Sequence, residues 1–285
     1  MKPKLVWSAQ LALVGLCALA LKFYYSTATA DELCWILAPT TTLVELLSGT
    51  RFEFESYAGY ITSDRTFVIA VPCAGVNFLI TAFLMLALRR LWLGRFQPLG
   101  WRFIPVSAMF AYLGTLSANT TRICLALELR ARSVEITGLT NNQMHRLEGI
   151  VVYFGFLLLL FLLTENFESA KPARLARVLP FPLLIYYAMT LAVPLLNGSF
   201  KRGDAFREHA VFVLLLPLVF VVPLTFFYVW RTRLNRSATA LHSDGSAYPP
   251  RLLRRGSFVW RHLRIPETEH RQCLESRLQF PNQSA

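Results

Sequence analysis

Charge is what this sequence has least of. Only 16% of its 285 residues are Asp, Glu, Lys or Arg, against 54% hydrophobic residues. A soluble domain carries about 25% charged residues, so polar surface is too scarce here to cover a water-facing globule. The same composition excludes a disordered chain and a collagen-like one. The five cysteines, Cys17, Cys34, Cys73, Cys124 and Cys273, form no CxxC and no regular spacing. Neither a zinc site nor a disulfide framework is indicated. HExxH, GxSxG and Walker A patterns are missing, and no aspartate lies within an apolar run. Metalloprotease, α/β-hydrolase, P-loop and intramembrane aspartyl-protease chemistry lose their signatures with them. No metal and no other cofactor is expected, and the chain shows no internal repeat.

What is there is a set of long apolar runs and a basic surplus. Lys plus Arg number 29 against 17 Asp plus Glu, a net charge of +12. Residues 231–285 hold 10 arginines against 4 acids, and much of the remainder sits in short loops between apolar runs. Such loops carry orientation signals. Membrane lipid is the partner this placement indicates, and nucleic acid is not. A helix crosses a bilayer core of about 30 Å with about 20 apolar residues. Six segments qualify, at about 5–25, 74–93, 103–125, 147–164, 178–196 and 210–230. The first follows Met1-Lys2-Pro3-Lys4 and precedes Ala28-Thr29-Ala30, which a signal peptide would also show. Its apolar stretch exceeds the roughly 7–15 residues of a signal h-region, which favours an uncleaved anchor.

The expected fold is an all-α membrane helix bundle of about six spans. Leu33–Ser48 is short and contains Pro39 and Glu45, so it reads as an interfacial helix. Residues 26–72 carry six acids and only Arg51 and Arg65, whereas the loop 89–102 carries Arg89, Arg90, Arg95 and Arg102 with no acid. The N-terminus is therefore placed inside and the acidic segment outside. Within 50–72, interspersed aromatics and the β-branched run Thr66–Val71 predict a small extracytoplasmic β-hairpin. Residues 1–236 form the integral-membrane domain. Residues 237–250 read as a Ser/Ala/Pro/Gly linker opening a basic cytoplasmic tail, 237–285, in which Arg251–Arg264 mixes Arg with apolar residues. A basic helix on anionic lipid fits that mixture.

Three reactive side chains interrupt the apolar pattern at one depth. Arg122 lies at the outer end of the third span, with Asn119 three residues earlier on the same helix face. An ionisable residue there marks function by default, though an arginine snorkelling to headgroups would look alike. Cys73 follows Pro72 at the outer mouth of the second span. Proline suits a first helical position, which predicts Cys73 in the first helical turn, where free N–H groups stabilise a thiolate. Asn77 falls one turn later on that face. An inert core cysteine is the alternative, and a disulfide from Cys73 to Cys34 or Cys124 stays open. His145 precedes the fourth span, and His209 is its equal on topology alone. Thiol, guanidinium and imidazole are the parts of an acyl-transfer site: nucleophile, oxyanion partner and acid/base.

Pro72-Cys73-Ala74-Gly75-Val76-Asn77, Asn119-x-x-Arg122 and His145-x-x-x-Gly149 opening a span resemble the motifs of the exosortase/archaeosortase family. Leu37–Tyr60 resembles the segment before the cysteine in the compact exosortase K type, and the likeness covers residues 33–165. It implies a bacterial inner-membrane cysteine peptidase or transpeptidase with its site on the periplasmic face. Substrates would be exported proteins of the PEP-CTERM kind, ending in a short motif, a transmembrane helix and a basic cluster. The systems of this family accompany exopolysaccharide synthesis, which suggests an acceptor of that origin. The resemblance implies Cys73 as nucleophile, Arg122 as oxyanion partner and His145, rather than His209, as acid/base, with Asn77 and Asn119 in support. The chain departs from many members in lacking extra N-terminal spans and in its basic tail. A transporter component or a non-enzymatic membrane subunit is the rival reading. The former would need polar residues at mid-membrane, and the latter would tolerate Cys73→Ala. The charge pattern predicts that cysteine-accessibility labelling finds position 60 outside and position 95 inside; position 95 outside would overturn the assigned order.

Overall fold

Apolar runs in a medium without water must bond every backbone N–H and C=O internally, and a helix does so within one segment. The computed structural model describes residues 3–94, 100–132, 140–168, 180–196 and 203–243. They form helices α1 (Pro3–Thr27) and α2 (Cys34–Ser48), then strands β1 (Phe52–Glu55), β2 (Gly59–Thr62) and β3 (Val68–Ile69). A 3-10 turn (Val71–Ala74) leads into α3 (Val76–Leu93), followed by α4 (Phe103–Ala131) and α5 (Asn141–Glu168). Helices α6 (Pro180–Tyr187) and α7 (Val193–Leu196) are joined by a π-helical segment, Ala188–Ala192, and α8 runs over Asp204–Ser243. By contacts the chain divides into Met1–Thr232 and Arg233–Ala285. Because α8 continues to Ser243, residues 237–243 are helical rather than linker. The basic stretch Arg251–Arg264, Cys273 and position 95 lie outside the described residues.

Four helical stretches are long and apolar enough to cross a membrane: Lys4–Thr27, Val71–Leu93, Gln143–Thr164 and Phe206–Phe227. They mark the chain as a membrane protein. Two of the six expected spans fall short of that standard. Pro180–Leu195 is one of the shorter apolar helices. Helix α4 has 29 residues, more than enough length, but Ser107, Thr115, Ser117, Asn119, Thr120, Thr121 and Arg122 lower its hydropathy. Several of these are the residues that face the candidate site.

The most buried helix is α3. Two-thirds (67%) of its apolar window is buried, against 17% for α1 and for α8. It packs on α1, α4, α5 and α6, and a helix apolar all round belongs inside a bundle. Leu16 and Phe23 on α1, with Val219, Val222 and Phe226 on α8, face outward. In water they would form an aggregating patch; beside acyl chains they are at home. Close approach of α4 and α5 relies on Gly114, where a Cβ would run into the Leu160 side chain.

Helix α2 is only 15 residues long, too short to span, and buries one stripe: Ile36, Leu37, Thr40, Thr41 and Val44. That stripe lies on α4, where the Tyr112 hydroxyl donates to the Trp35 carbonyl at 2.8 Å and the two rings stack. Gly49, in the left-handed conformation (φ +72°), ends the helix.

The expected hairpin is extended by a third strand. The sheet order is β1-β2-β3, antiparallel throughout, with Phe54 opposite Tyr60 and Tyr60 opposite Ile69. The extra strand forms because Val68 and Ile69 are β-branched and the 62–67 turn is well closed. Asp64 accepts from the Thr66 N–H and hydroxyl, and Arg65 reaches Glu55 at 2.5 Å. Gly59 sits where a Cβ would strike the Ile69 carbonyl. Arg130 at the end of α4 donates to the Thr66 carbonyl, so the sheet is tied to the bundle.

Sheet and α3 meet at Gly75, with φ +70°. A Cβ there would stand 3.2 Å from Thr115 Cγ2 and 3.3 Å from Asn119 Cγ, and the left-handed conformation costs an L-residue about 1–2 kcal/mol. Gly75→Ala should therefore lower the melting temperature of the detergent-solubilised protein by several degrees. A value equal to wild type would show that the turn relaxes freely.

Candidate active site

Pro72 stands at the start of the 3-10 turn Val71–Ala74, and its missing N–H leaves no orphan there. The Cys73 N–H bonds the Ala70 carbonyl at 2.8 Å. Gly75 then reverses the chain and α3 starts at Val76. Cys73 is thus not in the first turn of α3, as the Pro-Cys spacing predicts, but in a separate turn before it. Its amide is already bonded, and the left-handed Gly75 interrupts the continuous helix that the dipole argument requires. Asn77 does not pair with Cys73 either. It is exposed and accepts a hydrogen bond from Lys22 Nζ at 2.8 Å, which ties α1 to α3. Cys17, Cys34, Cys73 and Cys124 are all free thiols.

From Cys73 a line of hydrogen bonds crosses three elements. The fully buried Asn119 on α4 donates its amide N–H to the Cys73 carbonyl. Asn119 Oδ1 accepts from the Tyr153 hydroxyl of α5 at 2.9 Å. Tyr153 in turn accepts from Arg122 Nη1 at 2.9 Å, with the guanidinium 5.4 Å from the ring centroid. Each donor points one way along the line, which fixes the Asn119 amide orientation: its oxygen faces the hydroxyl and its nitrogen the carbonyl. The Phe78 ring stacks on Tyr153 at 5.2 Å and holds the phenol in place. Cys73 lies within Coulombic range of both Arg122 and Tyr153.

The second arm of Arg122 meets the histidine. Nη2 lies 2.8 Å from His145 Nε2. A guanidinium only donates, so Nε2 accepts with its lone pair and the ring proton sits on Nδ1. Nδ1 faces Glu148 Oε2 at 3.7 Å. His145 itself is exposed while Glu148 is buried. Gly149, one turn beyond His145, faces Arg122 Nε, which has no hydrogen-bond partner.

His209 lines the same space as His145 but from α8, beside Arg146 and the Thr190 backbone. Pro194 has no N–H to offer the Thr190 carbonyl one turn earlier, which accounts for a backbone group left within reach of the imidazole. The space is a cavity of about 760 Å³, within the usual size of ligand sites. Leu19, Val76, Ile80, Leu84, Ile150 and Val213 give it apolar walls, and Lys22, Arg122 and Arg146 make one part of it cationic. Among the described residues no cluster of His, Cys, Asp and Glu could hold a metal ion.

Structure thus joins the Cys73 backbone carbonyl, Asn119, Arg122 and His145 in one hydrogen-bonded line, and Asn77 lines the same cavity as Arg122 and His145, paired with Lys22. It adds Tyr153 and Glu148, which the motifs do not single out. Their positions carry a signal nonetheless: Tyr153 is four residues beyond Gly149 and eight beyond His145, and Glu148 is three beyond His145, at helical spacing. Comparison of the chain with protein-family models, with curated proteins and with solved structures finds no match.

Removing the Tyr153 hydroxyl leaves Arg122 Nη1 and Asn119 Oδ1 without partners, at about 1–3 kcal/mol for a buried polar group. Tyr153→Phe should accordingly lower thermal stability and change the alkylation rate of Cys73 by a maleimide. Wild-type behaviour in both measurements would show that the phenol is packing alone.

Proposed function

We propose that the chain is a membrane-embedded cysteine peptidase or transpeptidase of the exosortase kind. The observation that supports it best is the hydrogen-bonded line from the Cys73 peptide through Asn119 and Tyr153 to Arg122 and His145. It links the peptide of Cys73 to Arg122 and His145, which line a largely apolar cavity together with Pro72 and Gly75, the neighbours of the Cys73 turn. In this reading the substrates are exported proteins bearing a C-terminal sorting signal, whose single helix docks against the apolar wall. The bundle crosses the bacterial inner membrane six times, with α4 and the Pro180–Leu196 stretch completing the crossings. The site then opens to the periplasm.

Chemistry follows from the positions. The Cys73 thiol gives its proton to His145, and sulfur attacks the carbonyl carbon of the scissile peptide. Charge develops on the carbonyl oxygen, and the planar donors of Arg122 stabilise it. His145 returns the proton to the leaving amine, the C–N bond breaks and a thioester remains on Cys73. An amine of the acceptor, of the kind linked to exopolysaccharide, or water then attacks the thioester and frees the thiol. Before substrate arrives, Arg122 covers the Nε2 lone pair. A substrate carbonyl that draws the guanidinium away exposes the base only when there is work for it.

The test is co-expression with a protein from the same genome that carries a tripartite tail, at matched enzyme levels. Cys73→Ala should abolish processing. Arg122→Lys should cost about 100-fold or more, as loss of an oxyanion donor does, and His145→Ala at least about 100-fold. Substantial activity in Cys73→Ala would end the thiol-transfer reading in favour of a non-enzymatic subunit. Loss with His209→Ala but not with His145→Ala would move the base to His209.

A further inference from the structure

Glu148 is the buried group that this mechanism leaves unused. It is 6% exposed and lies inside the apolar stretch Gln143–Thr164, where an ionisable side chain is costly unless it does something. Its Oε1 has no hydrogen-bond partner. The ordinary explanation would be a counterion for the neighbouring arginines, but the bonds run elsewhere. Arg122 gives Nη1 to Tyr153 and Nη2 to His145. Arg146 leans toward Glu208 at 3.8 Å. Arg122 Nε and Arg146 Nη1 are both buried without a hydrogen bond, and Glu148 bonds neither. Its carboxylate lies within Coulombic range of Arg122 without bonding it, and among the described residues the cationic nitrogen within ion-pair distance of it is His145 Nδ1, at 3.7 Å.

We propose that Glu148 is the positioning residue of His145: its carboxylate holds the ring in the Nδ1–H tautomer and leaves Nε2 to take and return the Cys73 proton. The 2.8 Å contact with Arg122 requires that tautomer, and the carboxylate at 3.7 Å favours it. The guanidinium at Nε2 can only donate, and the carboxylate at Nδ1 can only accept. A carboxylate behind a catalytic imidazole orients the ring and stabilises the imidazolium formed when the thiol proton arrives. The 3.7 Å separation is that of a resting site, and such contacts tighten when substrate is bound. Spacing makes the arrangement a property of α5 alone, since residues three apart on a helix share a face. For the proton transfer the inference rests on the reading proposed above; the tautomer and the pairing do not.

Other titratable groups face this pair and set the background. Arg122 on α4 and Tyr153 on α5 bracket it, Cys73 lies within Coulombic range of Arg122, and Lys22 and Tyr25 of α1 line the same cavity. Arg146, with Glu208 and His209 of α8, completes the set. Among them, Glu148 alone is an acid within ion-pair distance of His145.

Nitrogen-15 NMR of the intact, histidine-labelled, detergent-solubilised chain distinguishes Nδ1–H from Nε2–H imidazole and so reads the His145 tautomer directly. Glu148→Gln should lower the Nδ1–H population of His145 at least about twofold, because an amide can donate as well as accept at Nδ1. Glu148→Asp keeps the carboxylate and should stay near wild type, which guards against a general disturbance by Glu148→Gln. In the processing assay, Glu148→Gln should reduce kcat at least about tenfold with KM within about twofold, the pattern of a group acting in the transition state. An unchanged tautomer population in Glu148→Gln, or an equal loss in both variants, overturns the proposal. A changed population in a chain that shows no Cys73-dependent processing keeps the Glu148–His145 pairing and discards the transpeptidase reading instead.

Discussion

A guanidinium among apolar helices has to find partners within the protein, and the arrangement around Arg122 follows from that requirement. Five N–H donors enter a region where water is scarce and an unmet donor costs about 1–3 kcal/mol. Tyr153 and His145 each take one of them. Because Tyr153 has a proton of its own to give, it passes the constraint to Asn119, and Asn119 passes it to the Cys73 peptide. One charged side chain thereby holds the Cys73 peptide on another element without touching it. The same requirement accounts for polar residues within α4: Asn119 and Arg122 are among those that meet this demand.

Backbone geometry serves the same end. A proline and a left-handed glycine fence off the 3-10 turn that carries Cys73, so the thiol does not move as part of α3. Gly75 has a second duty, since any side chain would press on Thr115 and Asn119. Strain at the turn and order in the hydrogen-bonded line are coupled through one Cβ that is not there.

Much of this could be read in the sequence, for a physical reason. Cys73, Asn119, Arg122 and His145 are polar residues in apolar surroundings, and polarity in the wrong place is visible without coordinates. Tyr153 and Glu148 escape because neither violates its context: an aromatic in an apolar helix reads as packing, and a glutamate beside Arg146 reads as an ordinary helix-entry charge. Cys73 lies outside the expected helical turn because nothing local reveals that Gly75 takes positive φ; the side chains packed against it, Thr115 and Asn119, are forty and more residues away. The third strand was hidden by its length, two residues, below what alternation can signal. Four helices rather than six are long and apolar enough to cross because polar residues interrupt α4 and because Pro180–Leu195 is short.

Helix α1 is joined to α3 by the Lys22–Asn77 bond, α4 to the Cys73 turn by Asn119, and α4 to α5 by Tyr153. At the far end of the α1–α3 pair, Trp7 Nε1 of α1 donates to the Leu91 carbonyl of α3 at 3.1 Å. Helices α1 and α3 are therefore pinned at two levels, near both of their ends. A lipid bilayer is not of fixed thickness, and mismatch with a protein's apolar length costs fractions of a kcal/mol per Å. Each pinning bond contributes about 0.5–1.5 kcal/mol. Two such bonds resist sliding of α1 along α3, so a thinner or thicker bilayer is met by tilting the pair together, as one rod leans, rather than by shearing one helix past the other.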